Sequence, residues 1–388
     1  MNGNVGLKLL SINAMYFITN ACFMPFLAPF YRQMGLSTTE IGILIAIGPI
    51  TYVCVQPLWA YLSDKTGRRK SILLGISACA GITILGFLTA KNFLTLLFFC
   101  ILFYSFQTAM MPLCDALVTD QCIKEEVEFS KVRMGGTVGY AIVALILGLV
   151  INNNIRWMFP ITTVSCAVFF YTISFLPKDE KAAPAQKNVK SNEKSGSIFT
   201  TNRIFAVLFI AFIMQIALAI NGSFMPVMLA DLGQGQNVIG LSNFISAMSE
   251  VPILIIINKL LKKYDTIKLM IFATVIMSLR LLLVSTGTVP IMLFTQLFNG
   301  ITYMIISFSC ITFVRESAAE GKMSQAQSTL AIVQSGLGAT LGNILGGALS
   351  DAFGIADVLR LTSITLLAVI VIFALVYKMI FKEEKAAA

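Results

Sequence analysis

Long apolar stretches recur from one end of this 388-residue chain to the other. A bilayer core about 30 Å thick is crossed by a helix of about 20 apolar residues, and it holds no water to satisfy backbone groups. These stretches are too long and too evenly apolar for barrel strands, so they predict transmembrane helices. The predicted spans are residues 7–30, 38–62, 70–90, 92–118, 131–151, 157–176, 203–229, 237–260, 267–286, 289–313, 325–349 and 356–380.

The composition agrees with this prediction. Hydrophobic residues make up 57% of the chain and charged residues only 12%, whereas a soluble protein of this length carries about 25% charged residues. Water therefore cannot be the main solvent of this chain. We predict an all-α integral membrane protein of twelve transmembrane helices.

The basic residues are distributed unevenly between the two predicted sides of the membrane. Arg32, Lys91, Arg156 and Arg360 fall in the loops of one side, Arg280 lies within a span, and the other basic residues fall on the opposite side. By the positive-inside rule, this asymmetry places both termini in the cytosol of a multi-pass cell-membrane protein, in the inner or plasma membrane. The net charge of +9 does not indicate nucleic-acid binding, because bases interleaved with spans form no continuous groove.

The reactive side chains exclude several classes of chemistry. The chain has no histidine, and its eight cysteines are scattered without a CxxC pair. We therefore expect no metal site and no cofactor, and any proton coupling must depend on carboxylates. The sequence has no nucleophile with a matching base and no phosphate-binding loop, so we do not expect an enzyme.

One polar segment divides the chain. After residue 176 the hydrophobicity falls into a Lys-rich, Pro-containing stretch without helical periodicity, which is typical of a flexible cytosolic linker. It separates six spans from six. The predicted units are an N-terminal six-helix bundle at 1–176, a linker at 177–202 and a C-terminal six-helix bundle at 203–388.

The two bundles carry a weak internal repeat at an offset of 198 residues. Gly35 and Gly42 match Gly233 and Gly240 at that offset. Parallel repeats of six helices, with a solute site at their interface, are a transporter architecture. The repeat therefore predicts two pseudo-symmetric bundles, although chance similarity between two apolar stretches is an alternative.

The eleventh predicted span carries a stripe of small residues. Gly338, Gly342 and Gly346 recur every four residues and so lie on one face of a helix. Such a stripe predicts that another helix approaches closely there.

The loop between the second and third spans resembles the conserved loop of the major facilitator superfamily, G-x-x-x-D-[RK]-x-G-[RK]-[RK]. The matching residues are Asp64, Lys65, Gly67, Arg68 and Arg69. Ala60 replaces the first glycine. The resemblance implies a cytosolic gate at Asp64, Gly67, Arg68 and Arg69, which latches the two halves and breaks as they rock. For the basic residues Arg68 to Lys70, a role in anchoring the topology is the alternative.

The stretch 112–140 resembles the lactose permease and phenylpropionate permease branch of that superfamily. Asp115 and Arg133 have the family's 18-residue spacing of an acid and an arginine, and Tyr140 stands where the family has a stacking aromatic residue. The resemblance implies a substrate site, because a carboxylate and an arginine together accept and donate hydrogen bonds to hydroxyls. The alternative is an ion pair with a purely structural role.

A third stretch, 255–282, also resembles this branch and places Arg280 on its buried arginine. Asn243, Gln296 and Asn299 fall where the lactose permease has a sugar-binding acid and its coupling residues, and the resemblance implies that they bind substrate.

Two residues of this region carry charge into the membrane. A charge in mid-span costs about 3 kcal/mol or more, so Arg280 requires partners. Glu250 is assigned with Arg280 to proton coupling, since a buried carboxyl can bind and release protons as its surroundings change. A structural ion pair between the two is the alternative, and Arg280 has a second potential partner in Asn243.

These features predict a proton-coupled symporter that imports a small polar solute, with a sugar favoured, by alternating access. Its expected partners are this solute, protons and the lipid bilayer, and we expect a monomer that binds no nucleic acid. An importer of an aromatic or organic acid or of a nucleoside, and a multidrug/proton antiporter, are alternatives within the same fold.

Overall fold

The computed structural model describes residues 3–176 and 198–386, and these residues are helical almost throughout. An isolated bridge joins Phe199 to Ala318. The helices of the first half are α1 (Gly3–Ala21, continued by Met24–Phe26 and Leu27–Gln33), α2 (Thr38–Cys54 and Gln56–Thr66), α3 (Arg69–Thr83 and Ile84–Leu88), α4 (Phe93–Lys124), α5 (Phe129–Val150) and α6 (Ile155–Trp157 and Met158–Ser174).

The second half repeats this arrangement. Its helices are α7 (Arg203–Asp231), α8 (Gln236–Lys263), α9 (Thr266–Val284), α10 (Val289–Thr295, Gln296–Phe298, Gly300–Met304 and Ile305–Ser317), α11 (Met323–Ala331, Ile332–Gly338 and Ala339–Phe353) and α12 (Ile355–Ala386). Within the described residues, nine helices are long and apolar enough to cross a membrane singly, and the bent α10 would be a tenth. The predicted all-helical, multi-span fold is confirmed.

The C-terminal end of α6 and the N-terminal end of α7 lie on the same side of the molecule, which we call the linker side. The opposite side is called the far side. Most of the predicted linker, residues 177–197, lies outside the described residues. The predicted spans agree with the observed helices, except that α1, α2, α10 and α11 are interrupted rather than continuous. A short 3₁₀ segment ends α3 and another begins α6. In α1 the interruption contains Pro25, which has no backbone N–H to continue the helical ladder.

Several helices begin at residues that satisfy their free N–H groups. Ser37 and Glu40 form a capping box at the start of α2, and Asn92 and Thr95 form another at the start of α4. Both caps lie in short far-side connections, so the sequence itself fixes where these two spans begin.

The two halves pack in equivalent ways. In the first half α1 lies against α5 and α6, and α3 lies against α6; in the second half α7 lies against α11 and α12, and α9 lies against α12. The glycine stripe of α11 faces α7, with Gly342 against Ile216 and Gly346 against Phe224. The predicted close approach at this stripe is confirmed.

The glycines of the internal repeat occupy equivalent positions. Gly35 and Gly233 both adopt a left-handed backbone, with φ of 82° and 74°, in the connection that follows α1 and α7. Gly42 and Gly240 both lie where the two halves touch, on α2 against α11 and on α8 against α5. The repeat is therefore structural, and it marks the contact between the halves.

These two contacts, α2 with α11 and α5 with α8, form the seams between the halves. At the α2/α11 seam Gly42 and Gly347 face each other, and a Cβ on Gly42 would clash with the carbonyl oxygen of Asn343. At the α5/α8 seam Gly148 and Gly240 bring the two backbones equally close. The seams are tightest on the far side, where only glycine allows this approach.

Polar contacts tie the halves together on the same side. The carboxylate of Asp351 accepts hydrogen bonds from the backbone N–H groups of Thr38 (2.8 Å) and Thr39 (2.9 Å), and so caps the N-terminus of α2 from the other half. Arg32 Nε lies 2.8 Å from Asp231 Oδ1, and the pair is half-exposed. The far side of the molecule is closed.

We predict that Gly42→Ala opens the α2/α11 seam, because its added Cβ meets a backbone carbonyl that cannot turn aside. Spin labels at Lys91→Cys and Thr286→Cys report the far-side separation, since both residues are exposed in far-side connections of different halves. The labelled background carries Cys54→Ser, which removes the exposed native thiol.

The distance distribution from pulsed electron resonance should shift to longer values in Gly42→Ala. Gly75→Ala is the matched control, because no atom lies within 4 Å of the Cβ it would add. Equal distributions in the two variants would contradict the prediction.

Candidate functional site

Two charged residues of the first half meet inside the spans. Arg133 Nη1 on α5 lies 2.9 Å from Asp115 Oδ2 on α4, and the two side chains are 33% and 28% exposed. Asn13 on α1 donates from Nδ2 to Asp115 Oδ1 at 3.0 Å, and the ring of Phe17 lies 4.5 Å from the Arg133 guanidinium carbon. The predicted acid–arginine pair is thus formed, and its partial exposure leaves both groups able to bind a further molecule.

Asn13 and Phe17 were not among the residues selected from the sequence. Asn13 is fully buried, and its Oδ1 has no partner among the described residues. An amide in an apolar span is the signal that could have identified it, since a buried polar side chain requires a hydrogen-bond partner. Phe17 gave no such signal, because a phenylalanine is ordinary in a span.

The second half contributes a cluster around Arg280, which is 3% exposed. Its guanidinium donates from Nη1 to Asn299 Oδ1 (2.9 Å) and to Thr302 Oγ1 (3.0 Å), and from Nη2 to Gln296 Oε1 (2.6 Å). Asn299 in turn donates from Nδ2 to Glu250 Oε1 at 3.0 Å. Asn299 therefore bridges the arginine and the acid.

This bridge differs from both pairings considered from the sequence. In the described part of the chain the hydrogen bonds of Arg280 go to neutral side chains, and Asn243 bonds to Ile239 and Tyr140 instead. Gln296 is 4% exposed and turned toward Arg280.

The path of α10 explains why Asn299 can reach both groups. A 3₁₀ turn at Gln296–Phe298 precedes Asn299, a π turn at Gly300–Met304 follows it, and the helix bends by 40°. The freed backbone N–H of Gly300 donates to Ser249 Oγ at 2.9 Å. Short 3₁₀ and π segments inside a helix are frequent at functional sites, and this one holds Asn299 against α8.

The two clusters face each other between the halves. Tyr140 OH on α5 lies 3.5 Å from Asn243 Oδ1 on α8, which joins the halves directly. The boundary between the halves therefore carries hydrogen-bonding side chains from both of them.

The predicted gate residues lie on the linker side. Arg69 Nη1 is 2.6 Å from Asp120 Oδ2, its Nη2 is 3.5 Å from Asp64 Oδ1, and Gly67 ends α2 in a left-handed conformation with φ of 63°. For Asp64, Arg68 and Arg69, the contacts within the described residues stay in the first half. The expected latch to the second half is not formed in this conformation.

The site offers charge pairing and hydrogen bonding. Within residues 3–176 and 198–386, no group of three or more His, Cys, Asp or Glu side chains could hold a metal ion. What the arrangement can do is bind a polar molecule between two helical halves that are closed on one side.

Comparison with known proteins agrees with this arrangement. The sequence profile of the MFS_1 like family matches residues 8–361. The maltose permease of Geobacillus stearothermophilus is 23% identical over 96% of this chain and 93% of its own length. The probable 3-phenylpropionic acid transporter of Escherichia coli is 22% identical over 64% of this chain and 65% of its length.

The fold is also that of a solved transporter. The crystal structure of the nucleoside transporter NupG superimposes with a TM-score of 0.84 at 16% identity, covering 97% of this chain and all of that chain. The chain belongs to the MFS_1 like family of the major facilitator superfamily of membrane transporters. The resemblance to that superfamily and the twelve-helix fold class predicted from sequence are both confirmed.

We predict that Asn299→Leu destabilises the protein. It removes an acceptor from the buried Arg280 guanidinium and a donor from Glu250, and an unpaired buried polar group costs about 1–3 kcal/mol. Thermal unfolding of the purified protein in detergent should show a lower midpoint. Asn153→Leu is the control, since Asn153 is exposed in a far-side connection; equal midpoints would refute the bridging role.

Proposed function

We propose that the protein is a secondary active transporter that imports a small neutral polar solute together with protons, by alternating access, and that the solute is a sugar. The observation that carries this proposal is the pairing of Asp115 with Arg133 opposite the chain Glu250–Asn299–Arg280, across the boundary between the halves.

The chemistry of the first cluster supports a hydroxylated solute. Carboxylate oxygens accept and guanidinium N–H groups donate hydrogen bonds, and vicinal hydroxyls do both. Because Asp115 and Arg133 neutralise each other, the cluster favours a neutral molecule over an anion. Similarity over nearly the whole chain to a maltose permease supports the same solute class.

The alternatives fit this site less well. An organic acid would gain little from Arg133, because Asp115 already neutralises that charge. A multidrug antiporter takes large apolar cations, which gain little from an acid already paired with an arginine. A nucleoside remains compatible, since its ribose hydroxyls match the same groups.

The closed far side supports an assignment of the conformation. We place the linker side in the cytosol of a cell-membrane protein, so that the site is open inward here. The two bundles, 1–176 and 203–388, would rock as units of a monomer about the site. On rocking, Asp64, Arg68 and Arg69 would meet the second half as the far-side seams separate.

Glu250 is the proposed proton carrier, and Arg280 is the proposed charge that influences its protonation. The chain has no histidine, and Asp115 is engaged by Arg133 and Asn13. Ionisable residues inside transporter spans commonly form proton relays. Asn299 supports this role because its amide bonds both Glu250 and Arg280, so a proton gained or lost at Glu250 would be felt at Arg280.

The proposal is tested in proteoliposomes with maltose, sucrose, glucose and uridine as solutes. We expect accumulation driven by an inward proton gradient and by an interior-negative potential. One charge crossing 100 mV supplies about 2.3 kcal/mol, enough for about 40-fold accumulation. Accumulation that survives a protonophore, or extrusion of dyes instead of solute uptake, would reject proton-driven import.

We predict that Glu250→Gln abolishes proton-driven accumulation but retains exchange between equally loaded compartments, because exchange needs no net change in protonation. Glu316→Gln is the control, since Glu316 is exposed at the linker-side end of α10. Normal accumulation in Glu250→Gln, or loss of exchange and binding as well, would remove Glu250 from the coupling step.

A further inference from the structure

The outer face of α8 carries a stripe of exposed apolar residues. Glu250 and Asn243 lie on the inner face of this helix, where they contact α10 and α5. The stripe consists of the exposed residues Met248, Pro252, Ile255 and Ile256. An α-helix turns through about 100° per residue, which places all four about 120–180° away from Glu250 and Asn243. In a membrane protein this face meets the acyl chains, and we call it the lipid-facing stripe.

Two lysines continue this stripe at the linker-side end of α8. Lys259 lies nine residues after Glu250, which is about two and a half turns, so its side chain leaves the opposite face of the helix. Lys263 follows four residues later on the same face. Both are exposed, and a lysine side chain can extend along apolar surface to keep its ammonium group in water. The two lysines therefore lie where phospholipid headgroups begin.

An aromatic residue marks the same level of the membrane. Tyr264, the first residue after α8, is 47% exposed, and Lys263 Nζ lies 5.3 Å from the centre of its ring. Tyrosine is enriched at the boundary between acyl chains and headgroups. Its position supports the location of both lysines at the membrane surface.

The linker-side end of α8 carries a concentrated positive charge. The lysine patch consists of the exposed residues Lys259, Lys262, Lys263 and Lys268. Asp265 lies in the same connection, but it accepts hydrogen bonds from backbone N–H groups at the start of α9 and lies 3.0 Å from Arg203 Nη2. Within the described residues, the four ammonium groups of the patch form no ion pair. An anionic group is therefore the partner that suits this patch.

The equivalent end of α2 is built differently. At the 198-residue offset of the repeat, Lys259 corresponds to Tyr61 and Lys263 to Lys65. Tyr61 is 64% exposed, so this face of α2 also points outward, but it ends in one lysine rather than two, and Asp64 adjoins that lysine. The positive-inside rule requires basic residues only on one side of the membrane. It does not account for their concentration at one helix end of the second half.

We propose that the linker-side end of α8 binds an anionic phospholipid, whose phosphate is held by Lys259 and Lys263 and whose acyl chains lie along the lipid-facing stripe. Residues four apart on a helix have Cβ atoms about 5–6 Å apart, so both ammonium groups can reach one phosphate. Lysine binds phosphate as a point charge. A zwitterionic phospholipid carries a cation beside its phosphate, so its attraction to the patch is weaker.

A free phosphate ion offers the same charge without acyl chains. The lipid-facing stripe and the two lysines are continuous along α8, so a phospholipid contacts both. A free ion would contact only the exposed ammonium groups, where water and salt screen the attraction. The phospholipid is therefore the occupant that fits this surface.

Native mass spectrometry of the purified full-length protein tests the proposal, with phosphatidylglycerol and phosphatidylcholine of identical acyl chains as probes. The unsubstituted protein should bind phosphatidylglycerol more tightly. Lys259→Gln combined with Lys263→Gln removes the two charges and keeps most of the side-chain length. This double variant should weaken phosphatidylglycerol binding about 10-fold and change phosphatidylcholine binding by less than about two-fold.

Lys8→Gln combined with Lys65→Gln is the matched control, since it removes the same charge from exposed lysines of the first half on the same side of the membrane. It should leave phosphatidylglycerol binding within about two-fold of the unsubstituted protein. Equal weakening in the two double variants would mean that the lipid answers only to the total charge of the linker side, which would overturn the proposal. Equal affinity of the unsubstituted protein for the two lipids would also overturn it.

Thermal unfolding in detergent separates the phospholipid from free phosphate. Phosphatidylglycerol should raise the unfolding midpoint of the unsubstituted protein more than phosphatidylcholine at the same concentration, because a ligand that binds the folded state stabilises it. This difference should be lost in Lys259→Gln combined with Lys263→Gln, and inorganic phosphate should leave the midpoint unchanged. If inorganic phosphate raises the midpoint as much as phosphatidylglycerol does, the patch binds free phosphate and the proposed lipid site is wrong.

Discussion

A charge inside a bilayer must be paired or reach water, and this constraint organises the interior of the protein. Arg280 is buried, and Nη1 and Nη2 of its guanidinium donate hydrogen bonds to side chains of α10, which bends beside it. Asp115 and Arg133 instead pair across α4 and α5 and stay partly exposed. The Arg280 cluster holds helices of the C-terminal half together. The Asp115–Arg133 pair leaves a partly exposed surface where a polar molecule can bind.

The seams between the halves decide where that surface is accessible. Glycines on α2, α5, α8 and α11 let the backbones touch on the far side, and Asp351 adds a helix cap from one half to the other. On the linker side, Arg69 turns to acids of its own half. Because pseudo-symmetric helices form both seams, one relative rotation of the halves would open one side and close the other.

The resemblance in sequence selected residues that meet in the structure, but it did not indicate how Glu250 and Arg280 are connected. Asp115 and Arg133 meet as their spacing indicated. Asn299, selected as a substrate ligand, bridges Glu250 and Arg280, and Gln296 is buried and accepts a hydrogen bond from the arginine. Helical periodicity does not predict either contact, because both depend on the 3₁₀ and π turns of α10. No residue pattern in α10 indicates these turns.

The sequence by itself determined that a lipid bilayer surrounds most of the chain. It also determined the number of spans, the repeat and the residues that carry charge into the membrane. Apolar length and the cost of unsatisfied backbone groups leave helices as the fold of such spans. Tertiary structure decided which charges pair, which amides meet and which side is closed. These outcomes depend on contacts between residues far apart in the chain, such as Thr38 with Asp351 and Tyr140 with Asn243, and a periodic pattern within one helix holds no information about its partner.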